Sequence, residues 1–146
     1  VSMTLDTAGN VPFEYYKRLL PYISLFLYDL KCFDSELHKR WTKVGNERIL
    51  ENLQALDKRN ASYTIRVPII PSFNTNLKEQ QKIAQFIASL SNPSLVQLLP
   101  YHSYGAGKYE TLGLKNVTAA SSPPSTEFLE EVLQCYLKLG INAEIS

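Results

Sequence analysis

The sequence predicts an α/β fold in which parallel strands alternate with helices. Short runs rich in β-branched and aromatic residues alternate with longer segments whose apolar residues recur at helical spacing. The chain has 146 residues, a length typical of one domain, and its hydrophobic content of 45% is enough for a core. Strands that alternate with helices pair in parallel through right-handed crossovers. We therefore expect a single domain over residues 1–146.

The chain opens with a strand and a helix. Residues 2–7 are predicted to be the end of a strand that the turn at residues 8–10 closes. Residues 12–23 have apolar side chains at helical spacing, and Pro12 suits a first helical turn. These two elements predict the first strand-to-helix crossover.

Residues 24–31 are predicted to be a buried strand that ends in two opposite charges. Because side chains alternate along a strand, Asp29 and Lys31 share a face with Leu25 and Leu27. We expect the two leucines to face a core and the charged pair to stand above them at the rim. In barrels of parallel strands, this rim carries the chemistry.

The middle of the chain repeats the alternation. Residues 35–42 are predicted to be a short polar helix, and Asn46 to cap the next helix, which continues to about residue 58. The β-branched residues 63–70 form a strand, and Asn76 is expected to cap a helix that continues to about residue 90. This region therefore adds one strand and three helices.

The last third contains one more strand, a long loop and a final helix. Residues 95–99 form the strand, and residues 100–124 form a loop of a length that is usually functional or mobile. Ser125 or Thr126 can cap the last helix and Gly140 can end it, before a short strand at 142–145. About four clear strands are too few to close a barrel, which takes about eight. The domain is therefore expected to be an open layer or part of a barrel.

Composition argues against several classes of partner. The net charge is +1 and the isoelectric point is about 7.9, so no strong field favours nucleic acid or an anionic membrane. No apolar stretch approaches the roughly 18 to 20 residues that span a bilayer. Cys32 and Cys135 lie far apart in the sequence and have no metal-ligand spacing, which favours reduced thiols in a cytoplasmic protein.

Polar side chains lie at or near the carboxyl ends of four successive predicted strands. Each alone has an ordinary explanation, such as a turn cap, a structural ion pair, a snorkelling arginine or a loop histidine. Together they lie at the carboxyl ends of parallel strands, which share one edge of a sheet. The residues concerned are Asp6, Thr7, Asp29, Lys31, Arg66 and His102. This mixture suits a zwitterionic ligand with a carboxylate, because lysine and arginine donate to carboxylates and aspartate accepts from hydroxyl or ammonium groups.

Five segments, in this order, carry a resemblance to a known family. They are LDTAG (5–9), LYDLK (27–31), VGNERILENL (44–53), IRVPIIPSFN (65–74) and LLPYH (98–102). The chain resembles the C-terminal half of the glycyl-radical-enzyme activating enzymes of the pyruvate formate-lyase activating type, in the radical S-adenosylmethionine (radical SAM) superfamily.

The resemblance implies the C-terminal part of a partial (β/α)6 barrel. It also implies an oxidoreductase in which a [4Fe-4S] cluster binds S-adenosylmethionine (SAM) and cleaves it reductively. The resulting radical takes a hydrogen atom from a glycine of a partner enzyme. The implied partners are a glycyl radical enzyme, such as pyruvate formate-lyase, and an electron donor of the flavodoxin or ferredoxin type.

The resemblance also implies roles for individual residues. Lys31 and His102 match positions that contact the methionine part of SAM, and Arg66 matches the strand that lines the cofactor cleft. Asp29 matches a position near the ribose and a bound monovalent cation. The implied cofactor-binding residues are Thr7, Asp29, Lys31, Arg66 and His102, and the implied cation ligands are Asp6 and Asp29.

The family's three-cysteine cluster motif, C-x-x-x-C-x-x-C, and its Gly-Gly-Glu segment are absent from this sequence. Two distant cysteines cannot supply the protein ligands of the cluster. We therefore expect the chain to lack the N-terminal cluster-binding half, to contain no iron–sulfur ligand or catalytic residue, to bind no cofactor alone and to be inactive alone.

Two alternatives remain at this point. The chain could be another α/β barrel enzyme that uses Lys31 as a Schiff-base residue. The proximity of Asp29 would raise the pKa of Lys31, whereas a Schiff-base lysine needs a lowered one. The chain could also be a non-catalytic binding module.

Overall fold

The computed structural model describes residues 2–91, 93, 95–102 and 122–146. The strands are β1 (Thr4–Thr7), β2 (Leu25–Asp29), β3 (Tyr63–Ile69), β4 (Leu95–Pro100) and β5 (Ala143–Ile145). The helices are α1 (Phe13–Leu19), α2 (Ser35–Thr42), α3 (Glu47–Lys58), α4 (Leu77–Ala88) and α5 (Thr126–Leu137). Most of the predicted loop, residues 103–121, lies outside the described residues. No helix within the described ranges is long and apolar enough to cross a membrane.

The five strands form one parallel sheet in the order β1-β2-β3-β4-β5. Every strand therefore lies beside the next one in the chain. Right-handed crossovers between neighbours in this order all run on the same side of the sheet. Helices α1, α3, α4 and α5 consequently pack on one face, and no helix of the described residues contributes to a core on the opposite face, which we call the uncovered face. The predicted α/β class with parallel strands is confirmed.

The core lies between the sheet and its helices. Phe26, Tyr28, Ile65, Val67 and Leu98 point to the helix side of their strands and are at most 1% exposed. Leucines and isoleucines of α3 and α4 and two residues of α5 pack against them. These partners are Ile49, Leu53, Leu56, Ile83, Ile87, Val132 and Tyr136.

The prediction for β2 had the two faces of the strand reversed. Leu25 and Leu27 are only half-buried, and the fully buried side chains are Phe26 and Tyr28. The helices cover the face of the aromatic residues, and alternation places the leucines on the uncovered face. Lys31 follows the carboxyl end of β2, at the predicted rim, but its side chain is only 5% exposed.

The helix caps follow the sequence at two of three predicted positions. Asn76 accepts a hydrogen bond from the Glu79 amide at 3.0 Å, and Ser125 accepts one from the Phe128 amide at 3.1 Å. Gly140 follows α5 with a φ of 78°, as a helix end requires. Asn46 precedes α3, but its side chain makes no capping bond there. Asn46 stands at the predicted N-cap position, but the prediction of a side-chain cap was wrong, since its Nδ2 donates to the carbonyls of residues 32 and 33 and the side chain is oriented toward them.

Gly9, in the turn after β1, meets two constraints at once. Its φ of 82° lies in the left-handed region, and a Cβ atom there would collide with the Tyr28 hydroxyl. Tyr28 is fully buried and donates a hydrogen bond to the Ile49 carbonyl at 2.6 Å, so it cannot move aside. The turn therefore requires glycine for backbone conformation and for space.

We predict that Gly9→Ala destabilises the chain more than Gly140→Ala. Both positions have similar positive φ values, but nothing lies within 4 Å of a Cβ at Gly140. The shared backbone strain costs about 1–2 kcal/mol, and the collision with Tyr28 adds about 1–3 kcal/mol at Gly9 only. Urea unfolding of the two variants measures the difference. Equal losses of unfolding free energy would contradict a role for the Tyr28 contact.

His38 is a buried residue of α2 whose side chain is held on one side only. Its Nδ1 lies 2.7 Å from the Val44 carbonyl oxygen, which can only accept, so Nδ1 carries the proton of the neutral ring. Its Nε2 is buried and has no hydrogen-bond partner among the described residues. Burial lowers the pKa of His38, against the hydrogen bond to Val44, and the positive charge of Lys31 lowers it further.

We predict that the chain loses stability as the pH falls below about 6.5, the ordinary pKa of histidine. Because the folded-state pKa of His38 is lowered, the unfolded chain binds its proton first, and protonation favours unfolding. The fall in melting temperature between pH 7.5 and 5.5 should be smaller in His38→Gln. Gly140→Ala serves as a control, because it lowers stability without removing a titratable group. An identical pH slope in His38→Gln would contradict this explanation.

Candidate functional site

An ion-pair cluster lies on the uncovered face of the sheet, where Asp29 of β2 pairs in register with Arg66 of β3. Arg66 Nε and Nη2 both lie 2.9 Å from Asp29 Oδ1. Arg66 Nη2 also pairs with Asp6 Oδ1 of β1. One guanidinium therefore joins two carboxylates across three strands.

The electrostatics of this cluster reflect its partial burial. Burial alone would lower the pKa of Arg66, but the two carboxylates outweigh it and raise that pKa above its ordinary value. Burial raises the pKa of Asp29, against the opposing charges of Arg66 and Lys31. Arg66 thus stays charged, and Asp29 is harder to ionise than an exposed aspartate.

Lys31 lies just beyond the end of β2, close enough to Asp29 and Arg66 for their charges to shift its pKa. Its side chain is buried, yet no hydrogen bond or ion pair of its ammonium joins it to any residue in the described ranges. Asp29 pairs with Arg66 instead. The ordinary explanation, a structural ion pair between Asp29 and Lys31, does not hold.

The net effect on Lys31 also differs from the expectation. We expected Asp29 to raise the pKa of Lys31, but burial outweighs this attraction and lowers it. The reason is that Arg66 already neutralises Asp29, while the lysine loses its hydration. A raised pKa of Lys31 can therefore no longer be used as an argument against a Schiff-base role. Lys31 forms no ion pair with a described residue.

Two predicted site residues lie apart from this cluster. Thr7 is on the helix-covered face, because it is paired in register with Tyr28. Its hydroxyl lies 2.6 Å from the Tyr16 hydroxyl and accepts a hydrogen bond from the Gly9 amide. His102 is exposed two residues after β4, at the strand-end edge that β2 and β3 share. The structure thus brings Asp6, Arg66 and Asp29 into contact, with Lys31 nearby, and does not bring Thr7 to their face.

Three buried polar side chains, which sequence reasoning missed, hold the segment from Lys31 to Asp34. Asn74 Nδ2 donates to the Lys31 carbonyl at 2.7 Å. Asn46 Nδ2 donates to the carbonyls of residues 32 and 33 at 3.1 and 2.7 Å. Glu79 Oε1 accepts from the amides of residues 33 and 34 at 2.6 and 2.9 Å. We call these three residues the segment clamp.

A sequence signal for two members of the segment clamp existed. Asn46 and Asn74 both lie in the segments that carry the family resemblance, 44–53 and 65–74. Asn46 looked like an ordinary helix cap, and Asn74 lay beyond the predicted strand. Glu79 is an acidic residue in the first turn of α4, a position where glutamate is common for other reasons.

The cysteines do not fit an iron–sulfur cluster. Cys32 is fully buried on the strand-end side of the fold, and Cys135 is on α5. Burial raises the pKa of both thiols, which disfavours the thiolates that iron requires. Within the ranges that the structure describes, no three His, Cys, Asp or Glu residues are grouped to hold a metal ion.

A groove of about 400 Å³ lies elsewhere, between α4 and α5. Gln81, Gln85, Gln134, Cys135 and Lys138 are among the residues that line it. None of the predicted site residues borders this groove. It therefore lies outside the candidate site at the carboxyl ends of the strands.

Comparison with known proteins agrees with the resemblance seen in the sequence. No family model matches the chain. The chain is 33% identical over 147 residues to the trans-4-hydroxy-L-proline dehydratase activating enzyme of Clostridioides difficile. This match covers 99% of the chain and 48% of the relative. The chain is 35% identical over 129 residues to the pyruvate formate-lyase 2-activating enzyme of Escherichia coli K12, covering 84% of this chain and 43% of the relative.

Two solved structures share the fold. A crystallised domain of a pyruvate-formate lyase-activating enzyme from Bacteroides vulgatus has a TM-score of 0.83 and 28% identity, and the match covers all of this chain and 81% of that one. A radical SAM methyltransferase from Sphaerobacter thermophilus shares the fold alone, with a TM-score of 0.67 and 18% identity over 98% of this chain and 39% of that one. The chain spans about half the length of the curated relatives it matches. It is therefore related, over nearly its whole length, to the glycyl-radical-enzyme activating enzymes, as the five sequence segments predicted.

Proposed function

We propose that this chain is the part of a radical SAM activating enzyme that holds SAM at the carboxyl ends of its parallel strands. The parent enzyme would generate a glycyl radical on a partner enzyme. One observation carries the proposal: in a relative of the activating enzymes, the Lys31 ammonium makes no hydrogen bond or ion pair with a described residue and lies beside the Asp29–Arg66–Asp6 ion pairs. The burial of its side chain removes much of its hydration, and a carboxylate of a ligand would supply the opposite charge.

The chemistry of these residues fits the groups that SAM carries. The Lys31 ammonium suits the carboxylate of the methionine part, since a charge-assisted hydrogen bond to it would replace the hydrogen bonds to water that burial removes. The carboxylates of Asp29 and Asp6 can accept from ribose hydroxyls or an ammonium. When bound, SAM supplies the adenosyl group that the radical chemistry of the family uses.

Arg66 has a second effect on the proposed site. Its guanidinium already bridges Asp6 and Asp29, the two carboxylates assigned to a monovalent cation. A cation or ribose hydroxyl would therefore share these oxygens with Arg66 or displace it. Thr7 and His102 remain proposed members, Thr7 through the turn after β1 and His102 through the end of β4.

The chain's own residues do not fit the cluster, so the [4Fe-4S] group belongs to the other half of the proposed parent enzyme. We place that enzyme in the cytoplasm, with a flavodoxin- or ferredoxin-type electron donor. The curated relatives activate different enzymes, among them a dehydratase and a pyruvate formate-lyase. We therefore propose only that the partner is a glycyl radical enzyme.

The lowered pKa of Lys31 favours a second candidate, a Schiff-base enzyme, because a neutral amine is the nucleophile in that chemistry. Borohydride reduction in the presence of small aldehydes and ketones separates the two candidates. Mass increase confined to the Lys31 peptide would favour the Schiff base. Labelling spread evenly over exposed lysines would show that Lys31 forms no preferred Schiff base and would leave the SAM site as the remaining candidate.

We predict that the isolated chain assembles no stoichiometric [4Fe-4S] cluster. Its two thiols are too few to supply the protein ligands of a cluster, and burial raises the pKa of both. Anaerobic reconstitution with iron and sulfide, followed by iron analysis and absorbance near about 400 nm, tests this. One cluster per monomer would contradict the assignment of the cluster to the other half.

We predict that Lys31 binds the carboxylate of SAM in a chimera in which this chain replaces the matching half of the Clostridioides difficile relative. Lys31→Ala removes a charge-assisted hydrogen bond worth about 1.5–3 kcal/mol, so SAM affinity should fall about ten- to one-hundred-fold. Lys39→Ala is the matched control, because Lys39 is exposed on nearby α2. Calorimetric titration measures both.

The same chimera tests Asp29. Asp29→Ala should weaken SAM binding, and added potassium should no longer strengthen it, if Asp29 holds the monovalent cation. Cluster assembly should be normal in both variants, since neither residue binds iron. Unchanged affinity in Lys31→Ala would show that Lys31 does not bind the cofactor.

A further inference from the structure

The segment clamp has one member that acts on Lys31 directly. Asn74 is fully buried and lies five residues after β3, in a turn where the amides of residues 73 and 74 donate to the Ile70 carbonyl. Its side-chain oxygen accepts from the Ile70 amide at 2.8 Å. Its side-chain amide donates to the carbonyls of Lys31 and Pro68 at 2.7 and 2.6 Å. Asn74 therefore joins the chain beyond β2 to the end of β3 and uses both ends of its side chain.

This arrangement continues outward to two helices. Gln80 Nε2 of α4 donates to the Asn74 carbonyl at 2.9 Å. The Tyr136 hydroxyl of α5 donates to Gln80 Oε1 at 3.0 Å. Both residues are fully buried. The position of Asn74 is thus set by a series of buried hydrogen bonds that contains no exposed member.

The last hydrogen bond of this series is accepted by the backbone carbonyl of Lys31. The Lys31 ammonium makes no hydrogen bond or ion pair with any of the residues that the structure describes, so nothing at the tip of the side chain fixes it in place. Its backbone carbonyl, by contrast, is held by Asn74. The location of the charge therefore depends on the backbone bond.

We infer that Asn74 is a positioning residue, which holds Lys31 at the buried strand end where the ammonium can meet a carboxylate. This inference deepens the proposed function and rests on it for the identity of the ligand. The positioning itself is a property of the chain alone. Without Asn74 the Lys31 carbonyl loses its side-chain donor, and only the bonds to residue 30 and to residues 32–34 hold the segment, so the ammonium is placed less tightly and becomes more accessible to solvent.

The experiment uses the whole 146-residue chain and measures how fast each lysine is acetylated at one fixed pH, by mass spectrometry of peptides. Each rate is divided by the rate of exposed Lys39 in the same sample. Because the Lys31 side chain is buried, its relative rate should be low in the unchanged chain. In Asn74→Ala, the relative rate of Lys31 should rise toward that of Lys39.

Two further variants keep the test decisive. Gln80→Met removes the amide behind Asn74 at similar volume, and it should raise the relative Lys31 rate by a smaller amount, even if Asn74→Ala does not fold. Tyr63→Phe removes a buried hydrogen bond to Asp57 at the opposite end of the sheet, and it should leave the relative rate unchanged. An unchanged Lys31 rate in folded Asn74→Ala, or an equal rise in Tyr63→Phe, would overturn the inference. The SAM titration of Lys31→Ala fails or succeeds separately from this result.

Discussion

The consecutive order of the five parallel strands determines where everything else in this molecule lies. Because each crossover joins neighbours with the same hand, helices α1, α3, α4 and α5 pack on the same face of the sheet. Alternating side chains along every strand then have different surroundings: one set enters the helix-covered core, and the other remains on the uncovered face. The uncovered set forms a polar row in register across four strands. Its members are Asp29, Arg66, Gln97 and Glu144.

Beyond the end of β2, buried polar side chains form the hydrogen bonds that neighbouring strands form within the sheet. The chain beyond β2 has left the ladder of strand hydrogen bonds, yet it is buried, and buried backbone groups need partners. The segment clamp supplies five such bonds from three different parts of the chain. This explains why polar residues that are almost completely buried are found beside an apolar core. It also explains why the Lys31 side chain can remain unpaired while its backbone is rigidly held.

Local patterns predicted the elements well, and they predicted contacts between elements poorly. Helical spacing, caps at Asn76 and Ser125 and β-branched runs depend on neighbours in sequence, so they predicted the elements and the fold class. Which face of β2 is covered depends on crossover geometry, and the sequence 25–28 is apolar on both faces. The capping prediction for Asn46 failed because the side-chain amide donates to a backbone segment on another element, which orients the side chain away from the helix start. The site residues Asp6, Asp29 and Arg66 were predicted as a group, but their pairing depends on register, which no single segment contains.

The polar row has a consequence for the charge of whatever binds there. On the uncovered face, the strands carry three carboxylates, from Asp6, Asp29 and Glu144, against the single guanidinium of Arg66. The Lys31 ammonium beyond β2 offsets one more of these charges, so a slight excess of negative charge remains beside this face among the described residues. In the proposed function, the sulfonium cation of SAM would be held more strongly there than a neutral thioether of the same shape. The face would then discriminate between a charged sulfur compound and its uncharged remnant, and the remnant would leave more easily.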